Sequence, residues 1–548
     1  MTPSSPLLQF IKWEKETPNE IFLQQPFDGI WKTWTWAQAG DEARRLAAGL
    51  HTLGLKRGDH IAILSKNCSH WIISDLAIMM AGCISIPIYP SLSAAGIKPI
   101  LVHSDTKAII IGKLDDFSQQ NEGIPTGTIC ISVTNYGTAE KYSTEELIAN
   151  NAPLQNVYNW QAKDIFTIIY TSGTTGNSKG VMHTISAFDT IVPLVVSTLK
   201  MPLKPRLFSY LPLCHIAERM AIEMYGIYFG AVISFAENIT SFSKNLIETE
   251  PELFFGVPRI WGKLREGILK KIPQKKLNIL LAIPLLNTII KNSIRKKLGL
   301  AKATHIYSAA APLAPELQKW FINLNIPIRQ AYGMTEDCVY AHFDSPTQYR
   351  IGKVGRALPG LLVKFTVDGE LCVKSNSNMV GYYKEPALTA EMFDEDNYLK
   401  TGDIAEYDAD CFLSITGRIK DQFKTDKGKY ISPSPIEMQL LANTKIEQVC
   451  VVGTGIPQPI ALITLTEEGS KNNKEEIVNE LTLFLKLVNR QLEGFEKLEK
   501  LVIIDNSWSI ENGLLTPTLK VKRNEIEKMH LLKYPVWYAD KEVIIWEK

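Results

Sequence analysis

The chain has 548 residues, 45% of them hydrophobic and 21% charged, with a formal net charge of +1 at neutral pH. This composition excludes a disordered protein, and the balanced charge argues against nucleic acid as a partner. Because one hydrophobic core rarely exceeds about 250–300 residues, we expect at least two domains. The cysteines are scattered without a CxxC pair, and the first residues, MTPSSPLLQFIKWEKE, lack the apolar core of a signal peptide, which predicts a cytoplasmic protein with reduced thiols.

Short apolar runs alternate with helical patterns from the start of the chain to about residue 360. The predicted buried strands are HIAILSKN, KAIIIGK, GTICISV, DIFTIIYTSG, RLFSYLPL, GAVISFAE, PELFFGVP and IPIRQAYG. The intervening segments SHWIISDLAIMMAG and APELQKWFINLN are typical of helices. This alternation predicts an α/β fold with parallel-rich sheets flanked by helices, in which ligands gather at the carboxyl ends of the strands.

The loop after the predicted strand DIFTII combines hydroxyls, glycines and one lysine within residues 170–180, YTSGTTGNSKG. Its donors are the hydroxyls of Thr171, Ser172, Thr174 and Thr175, the backbone around Gly173, Gly176 and Gly180, and the ammonium of Lys179. Such a set can surround a polyphosphate, because glycine lets backbone N–H groups face the ligand and lysine supplies positive charge. It is not a Walker A loop, since neither GxxxxGKS nor GxxxxGKT occurs.

The longest apolar segment, LNILLAIPLLNTII at residues 277–290, is too short to span a membrane. Basic residues flank it, in LKKIPQKK before it and in KNSIRKK after it. Two interpretations remain open: a packed helix pair, or a peripheral contact of residues 269–297 with the inner face of a membrane.

Two further segments carry side chains suited to a nucleotide. In AYGMTED, Tyr332 offers a ring that can stack on a purine, Thr335 a hydroxyl for a phosphate oxygen, and Glu336 a carboxylate for a hard cation. In YLKTGDIAEYD, Asp403 can accept hydrogen bonds from both hydroxyls of a ribose. Taken alone, each segment is equally compatible with a helix cap or a turn.

The pattern changes after residue 360. The segment LVKFTVDGELCVKS predicts a β-hairpin with a two-residue turn at Asp368 and Gly369. The strands VCVVGTG and ALITL, followed by the helical EEIVNELTLFLKLVNRQLEGF, predict a small α+β module. We therefore expect two domains, 1–417 and 418–548, joined near the segment ITGRIKDQFK.

In this order the segments resemble those of the adenylate-forming (AMP-binding) superfamily, which includes acyl-CoA synthetases, nonribosomal adenylation domains and luciferases. The resemblance covers nearly the whole chain and extends to ITGRIKDQFKTDKGKYISPSPIE at residues 415–437 and LLTPTLKVKR at residues 514–523. It implies a nucleotide site made of Thr171, Ser172, Gly173, Thr174, Thr175, Gly176, Lys179, Tyr332, Asp403 and Arg418. It further implies that Thr335 meets the α-phosphate, Glu336 holds Mg²⁺, Lys520 is the catalytic lysine and Lys420 is the hinge of a mobile C-terminal domain.

Several features resemble the long-chain fatty acyl-CoA synthetase branch in particular. The segment SYLPLCHIAERM is similar to that branch's LPLxHxxER stretch, which implies that His215 lies near the reacting carboxylate, and FKTDKGKYISP has the branch's longer form. The segment GVPRIWGKL matches the stretch before a variable helical insert, where residues 277–290 lie. Two positions depart from the commoner pattern: Leu519 stands where many members have glycine, and Ser178 where relatives often have proline.

The resemblance implies an enzyme that joins a medium- or long-chain fatty acid to the AMP part of ATP, releases pyrophosphate, and transfers the acyl group to coenzyme A. The implied partners are ATP, Mg²⁺, coenzyme A and a fatty acid, and the sequence is compatible with an oligomer. Three alternatives remain: a ligase that loads a separate acyl carrier protein, a luciferase-like oxygenase, and a nucleotide- or membrane-binding protein without turnover. Retention of Thr335, Glu336, Asp403, Arg418 and Lys520 argues against the last of these.

Overall fold

The computed structural model describes residues 5–172, 178–510, 512–516 and 519–547. The strand that leads to the predicted phosphate loop lies in an eight-stranded sheet. In sheet order the strands are Gly381–Tyr382, Ser178–Thr184, Ile165–Ser172, Ile84–Ile88, His60–Leu64, Ala108–Ile111, Ile129–Ser132 and Tyr142–Ser143. The six strands from Ile165–Ser172 onward are parallel, whereas Ser178–Thr184 runs antiparallel to both of its neighbours. The expected parallel-rich sheet is confirmed.

A second sheet of nine strands contains the strand that leads to the AYGMTED segment. In sheet order its strands are Arg356–Ala357, His342–Phe343, Arg329–Tyr332, His305–Ser308, Leu253–Gly256, Arg206–Ser209, Val232–Phe235, Ile21–Phe27 and Ile30–Thr35. The strands are parallel from Arg329–Tyr332 to Ile21–Phe27 and antiparallel at both edges. Carboxyl ends of parallel strands therefore gather at one edge of this sheet as well.

Helices cover both faces of the eight-stranded sheet. In the strand HIAIL, Ile61 joins one core with helix Ser69–Met80, whereas Ala62 joins another with helix Ala94–His103. Successive side chains of a strand point to opposite faces, so a wholly apolar strand requires helices on both sides. The other α-helices described before residue 330 are Pro6–Glu16, Trp36–Thr52, Ser118–Asn121, Thr144–Asn150, Ile185–Leu199, Ile216–Glu218, Tyr225–Phe229, Phe242–Thr249, Pro258–Lys271, Gln274–Ala282, Leu286–Lys297 and Pro315–Asn323.

The predicted hairpin is present, but its turn is longer than expected. It belongs to an antiparallel sheet of Leu362–Phe365, Glu370–Lys374, Leu399–Tyr407 and Leu413–Arg418, with the helix Pro386–Met392 between its second and third strands in sequence. The Gly369 N–H donates to the Thr366 carbonyl at 3.0 Å, and the Thr366 N–H donates to Glu370. Gly369 has a left-handed φ of 79° and adds a residue after the turn, so the two-residue prediction was wrong.

The chain after Arg418 forms a small α+β unit. Its sheet consists of Ile446–Val452, Ile460–Leu465, Leu501–Ile503 and Ile544–Trp546, the first pair antiparallel and the others parallel. Its helices are Pro433–Leu440, Glu467–Lys471, Lys474–Asn489, Arg523–His530 and Tyr534–Ala539, and a ribbon of Phe423–Lys424 with Tyr430–Ile431 precedes them. The domain boundary at 417/418 and the mobility of this unit stay predictions.

The apolar segment at residues 277–290 is divided between two short helices, Gln274–Ala282 and Leu286–Lys297. The break falls at Pro284 and Leu285, where proline cannot continue a helix and Leu285 has a left-handed φ of 68°. Among the residues that the structure describes, no helix is long and apolar enough to cross a membrane.

Candidate active site

The strands on either side of the predicted phosphate loop hold its two ends side by side. Thr171 is the register partner of Lys179 in the antiparallel pair Ile165–Ser172 and Ser178–Thr184. Ser172 closes the first strand. Four residues predicted to hold phosphate, Gly173, Thr174, Thr175 and Gly176, lie outside the described residues.

Lys179 lies against Tyr382, which connects it to Glu336. The Lys179 Nζ is 5.2 Å from the centre of the Tyr382 ring, and the Tyr382 hydroxyl donates to Glu336 Oε1 at 2.8 Å. Burial and then the nearby charge of Lys420 lower the pKa of Lys179, while Glu336 acts in the opposite direction. The loop strand, the AYGMTED segment and the predicted hinge therefore meet at one place.

Thr335 and Glu336 lie in a short 3-10 turn after the strand Arg329–Tyr332, and both are buried. The Thr335 carbonyl oxygen is 2.9 Å from Nε2 of His183. Since a carbonyl can only accept, Nε2 is the donor, and burial lowers the pKa of His183 to about 4, so the ring is neutral. The Met379 N–H donates to the Glu336 carbonyl at 2.7 Å. Two other segments thus hold the turn in place.

Tyr332, Asp403 and Arg418 form a second polar group. The Tyr332 hydroxyl donates to Asp403 Oδ2 at 2.7 Å, and the Arg418 Nε is 3.4 Å from Asp403 Oδ1. Asp403 and Arg418 are register partners on adjacent antiparallel strands, which explains why their side chains face each other. A carboxylate has about four acceptor positions, so Asp403 can still accept from ribose hydroxyls.

Lys520 is carried by a tight turn of the C-terminal unit. Its backbone N–H donates to Thr516 Oγ1 at 3.0 Å, and Leu519 has a left-handed φ of 63°. Glycine adopts this conformation without strain, so a left-handed φ at Leu519 fits the glycine that the resemblance led us to expect at this position. Leu515 and Val521, on either side of this segment, form an antiparallel bridge.

The charge of Lys520 acts on His215, and the charges of Arg418 and Asp403 act on Lys520. Desolvation and then the charge of Arg418 lower the pKa of Lys520, whereas Asp403 opposes the lowering. Lys520 stays accessible to water, yet protein groups surround its ammonium closely enough to desolvate it. Burial and then the charge of Lys520 lower the pKa of His215 to about 4, and its Nδ1 accepts from the Ala217 N–H at 3.1 Å. A neutral ring with an accepting Nδ1 carries its proton on Nε2.

Glu336 fits a magnesium site completed by substrate. Its Oε1 accepts from Tyr382, while Oε2 receives no hydrogen bond from any residue that the structure describes. The same described residues contain no group of three or more His, Cys, Asp or Glu side chains that could hold a metal by themselves. Mg²⁺ commonly takes one or two carboxylates and fills its shell with water and substrate phosphates, so a single carboxylate is sufficient.

Sequence reasoning missed His183 and Tyr382, which support Thr335 and Glu336. Neither residue stands in a recognisable motif, because the contacts that give them a role come from strands that are neighbours only in space. The tyrosines of VGYYKEP and the histidine of GVMHT carry no signal in a single sequence.

Two stretches of the chain match known protein families. Residues 10–383 match the AMP-binding enzyme family, and residues 420–531 match the AMP-binding enzyme C-terminal domain. The chain belongs to the AMP-binding enzyme family. The first matched stretch of this AMP-binding enzyme contains Lys179, His215 and Glu336, and the second matched stretch contains Lys520. The predicted superfamily is therefore confirmed, whereas the roles of individual residues stay predictions.

This AMP-binding enzyme is similar to curated ligases over most of its length. It is 27% identical over 576 residues to the long-chain-fatty-acid–CoA ligase FadD15 of Mycobacterium bovis, covering 94% of this chain and 93% of that protein. It is 27% identical over 596 residues to the long-chain-fatty-acid–CoA ligase ACSBG2 of Xenopus laevis, covering 93% and 80%. Among solved structures, the adenylation domain of a carboxylate reductase from Mycobacterium chelonae matches with a TM-score of 0.82 at 20% identity, covering 98% of this chain and 92% of that one. That likeness confirms the fold.

Proposed function

We propose that this AMP-binding enzyme activates a medium- or long-chain fatty acid to an acyl-adenylate, releases pyrophosphate, and transfers the acyl group to coenzyme A. One observation carries the proposal: Lys520 of the C-terminal unit lies within electrostatic reach of Glu336, Asp403 and His215, which come from distant parts of the chain. The substrate class is supported by relatives named as long-chain fatty acid–CoA ligases that match 94% and 93% of this chain.

In the first step a carboxylate oxygen of the fatty acid bonds to the α-phosphorus of ATP, and the bond to the pyrophosphate oxygen breaks. Both reactants are anions, so positive charge must offset their repulsion. Lys520 is proposed to bridge the carboxylate and the α-phosphate, and Lys179 to face the β- and γ-phosphates. A Mg²⁺ ion on Glu336 would supply further positive charge at the phosphates.

The remaining polar residues are proposed to bind and orient the substrates. Asp403 accepts from the ribose hydroxyls while Arg418 and Tyr332 hold its carboxylate, and the Tyr332 ring stacks on the adenine. His215 is neutral at physiological pH, so its Nε2–H donates a hydrogen bond to the fatty carboxylate rather than removing a proton.

In the second step the thiolate of coenzyme A bonds to the acyl carbon, and AMP leaves with the electron pair of the broken carbon–oxygen bond. Lys520 has no evident task in this step. Rotation of the C-terminal unit about Lys420 would withdraw Lys520 and admit the thiol.

Carboxylate-dependent release of pyrophosphate tests the proposed function. Acids from acetate to oleate are supplied with ATP, with and without coenzyme A. We expect release with medium or long chains and formation of acyl-CoA when coenzyme A is present. Acyl transfer only to the phosphopantetheine of a carrier protein, or oxygen consumption by the adenylate, would favour the alternatives, and no release with any acid would contradict the ligase function.

Replacing Lys420 by proline tests the hinge. Lys420 lies in a 3-10 turn, residues 419–421, between the strand that ends at Arg418 and the C-terminal unit. Proline fixes φ and removes an N–H, so we expect thioester formation to slow by about tenfold or more relative to carboxylate-dependent pyrophosphate exchange. Lys420→Ala, which keeps the backbone free, is the matched control and should leave the ratio near the wild-type value. An unchanged ratio in Lys420→Pro would remove the hinge.

We also propose that residues 269–297 contact an anionic membrane surface peripherally. The side chains of Ile279, Leu285 and Ile289 are 64%, 85% and 63% exposed. The charged residues within this segment are all basic, namely Lys270, Lys271, Lys275, Lys276, Lys291, Arg295, Lys296 and Lys297. Exposed apolar side chains within a purely basic segment suit the headgroup region of anionic lipid.

Vesicle co-sedimentation tests this membrane contact. The variant Ile279→Ser/Leu285→Ser/Ile289→Ser should bind vesicles containing phosphatidylserine at least about fivefold more weakly than the wild type. The control Ile239→Ser/Leu532→Ser removes side chains that are 90% and 91% exposed elsewhere and should bind normally. Binding should weaken with added salt because lysines contribute to it. Failure of the wild type to bind anionic vesicles would contradict the contact.

A further inference from the structure

Two ion pairs join the helix Pro258–Lys271 to the C-terminal unit. Arg259 donates to Glu447 at 2.7 Å, and Lys270 lies 2.9 Å from Glu467. The Arg259–Glu447 pair is the better shielded of the two, with side chains 28% and 23% exposed against 57% and 60% for the other. Because solvent screens exposed pairs strongly, Arg259 and Glu447 contribute more to holding the two units together.

In the observed orientation of the C-terminal unit, the guanidinium of Arg259 offsets the repulsion between Glu447 and a nearby carboxylate on the helix. Burial and then the charge of Glu447 raise the pKa of Glu266, which lies on the same helix as Arg259. Glu447 therefore faces a second carboxylate as well as the guanidinium. Without Arg259 these two carboxylates would lose their hydrogen-bonded guanidinium, and the C-terminal unit would lose the better shielded of its two ion pairs with this helix.

A rigid connection leads from Glu447 into the C-terminal unit. The next residue, Gln448, donates from Nε2 to the Trp508 carbonyl and accepts the Trp508 N–H on Oε1, both at 3.1 Å. Both side chains are buried, so this two-bond contact is protected from water. Cys450, on the same strand as Glu447, packs in one core with Trp508.

The same core ends at the turn that carries Lys520. Leu515 is buried with Trp508, and Leu515 pairs with Val521 across the turn. The Thr516 N–H donates to the Lys520 carbonyl at 2.8 Å. The path from Glu447 to Lys520 thus consists of strand pairing, a buried double hydrogen bond and core packing, so displacement of one end displaces the other.

We propose that Arg259 and Glu447 are positioning residues for adenylate formation, because their ion pair holds the C-terminal sheet in the orientation that brings Lys520 to the nucleotide site. This inference rests on the proposed ligase function. Neither residue touches the reacting atoms, so both act through Lys520. The thioester step does not use Lys520 and should not need the pair.

Charge reversal at the pair provides the test. In Arg259→Glu, we expect carboxylate-dependent pyrophosphate exchange to fall roughly three- to tenfold, since attraction is replaced by repulsion, while thioester formation from supplied acyl-adenylate does not fall. The double variant Arg259→Glu/Glu447→Arg should restore exchange. Lys302→Glu, which reverses one partner of the pair with Glu250 at 3.2 Å inside the large unit, is the matched control and should behave as wild type.

Equal loss in both half-reactions, or no rescue by the double variant, would overturn the inference. Small-angle X-ray scattering of the same proteins adds a readout that needs no turnover. Arg259→Glu should broaden the interatomic distance distribution and the double variant should restore it, whereas an unchanged distribution in Arg259→Glu would overturn the inference. A wild type that is inactive with every acid would instead refute the proposed function, and the scattering comparison would still decide the role of the pair.

Discussion

Replacing Lys520 with alanine should lower the rate of acyl-adenylate formation by about 100- to 1,000-fold, the usual cost of removing one preorganised donor from a developing charge. The reason is electrostatic, because two anions must approach each other and Lys520 is the cation proposed to lie between them. Transfer of the acyl group from supplied acyl-adenylate to coenzyme A should proceed at nearly the wild-type rate. Pyrophosphate exchange and thioester formation, measured separately, check the two halves.

The neighbouring Lys522 supplies the control for this prediction. Lys522→Ala removes the same charge from the same segment, but its backbone N–H, which bonds to the Leu514 carbonyl at 2.9 Å, is retained. We expect both half-reactions of Lys522→Ala to stay close to wild type. An equal loss of both half-reactions in Lys520→Ala would contradict the division of work between the two steps.

Replacing Arg219 with methionine should reduce the free energy of unfolding by about 3–5 kcal/mol, because it leaves a buried charge without its partner. Arg219, Asp75 and Glu223 are fully buried. The guanidinium donates to Asp75 Oδ2 at 2.6 Å and to Thr167 Oγ1 at 2.7 Å, and it lies 5.5 Å from the centre of the Phe166 ring. Denaturant unfolding followed by tryptophan fluorescence measures the loss.

Glu223 is the second carboxylate beside Arg219. Burial and then the charge of Asp75 raise the pKa of Glu223 well above its ordinary value of 4.5, so the folded state favours the protonated form of Glu223. The unfolded state binds fewer protons at this site, so the contribution of Glu223 to stability falls as pH rises above about 4.5. Glu223→Gln should remove this decrease of stability with rising pH and should change the free energy of unfolding little.

Two results would contradict this account of the cluster. One is an Arg219→Met variant within about 1 kcal/mol of wild type, the range expected for an exposed ion pair. The other is failure of Arg219→Met/Asp75→Leu to recover part of the loss, since apolar side chains of similar volume commonly replace a buried pair without penalty.

Much of the candidate nucleotide site could be proposed from the sequence because its residues stand in short segments with distinctive chemistry. The loop YTSGTTGNSKG and the segment AYGMTED each follow a buried strand, where ligands gather in parallel sheets. Their supports were not predictable. Tyr382 bonds to Glu336 and His183 to Thr335 only because strands distant in sequence become neighbours in the sheets.

The sequence by itself determined the alternation of strands and helices, the order of the segments and the chemistry that each can offer. These properties depend on spacing within about ten residues, which sets which side chains share a face of a strand or helix. Only the tertiary structure decided that Tyr382 bonds to Glu336 and that Arg259, 188 residues away in sequence, pairs with Glu447. Such contacts arise when whole sheets and helices pack, and no local pattern records which surfaces will meet.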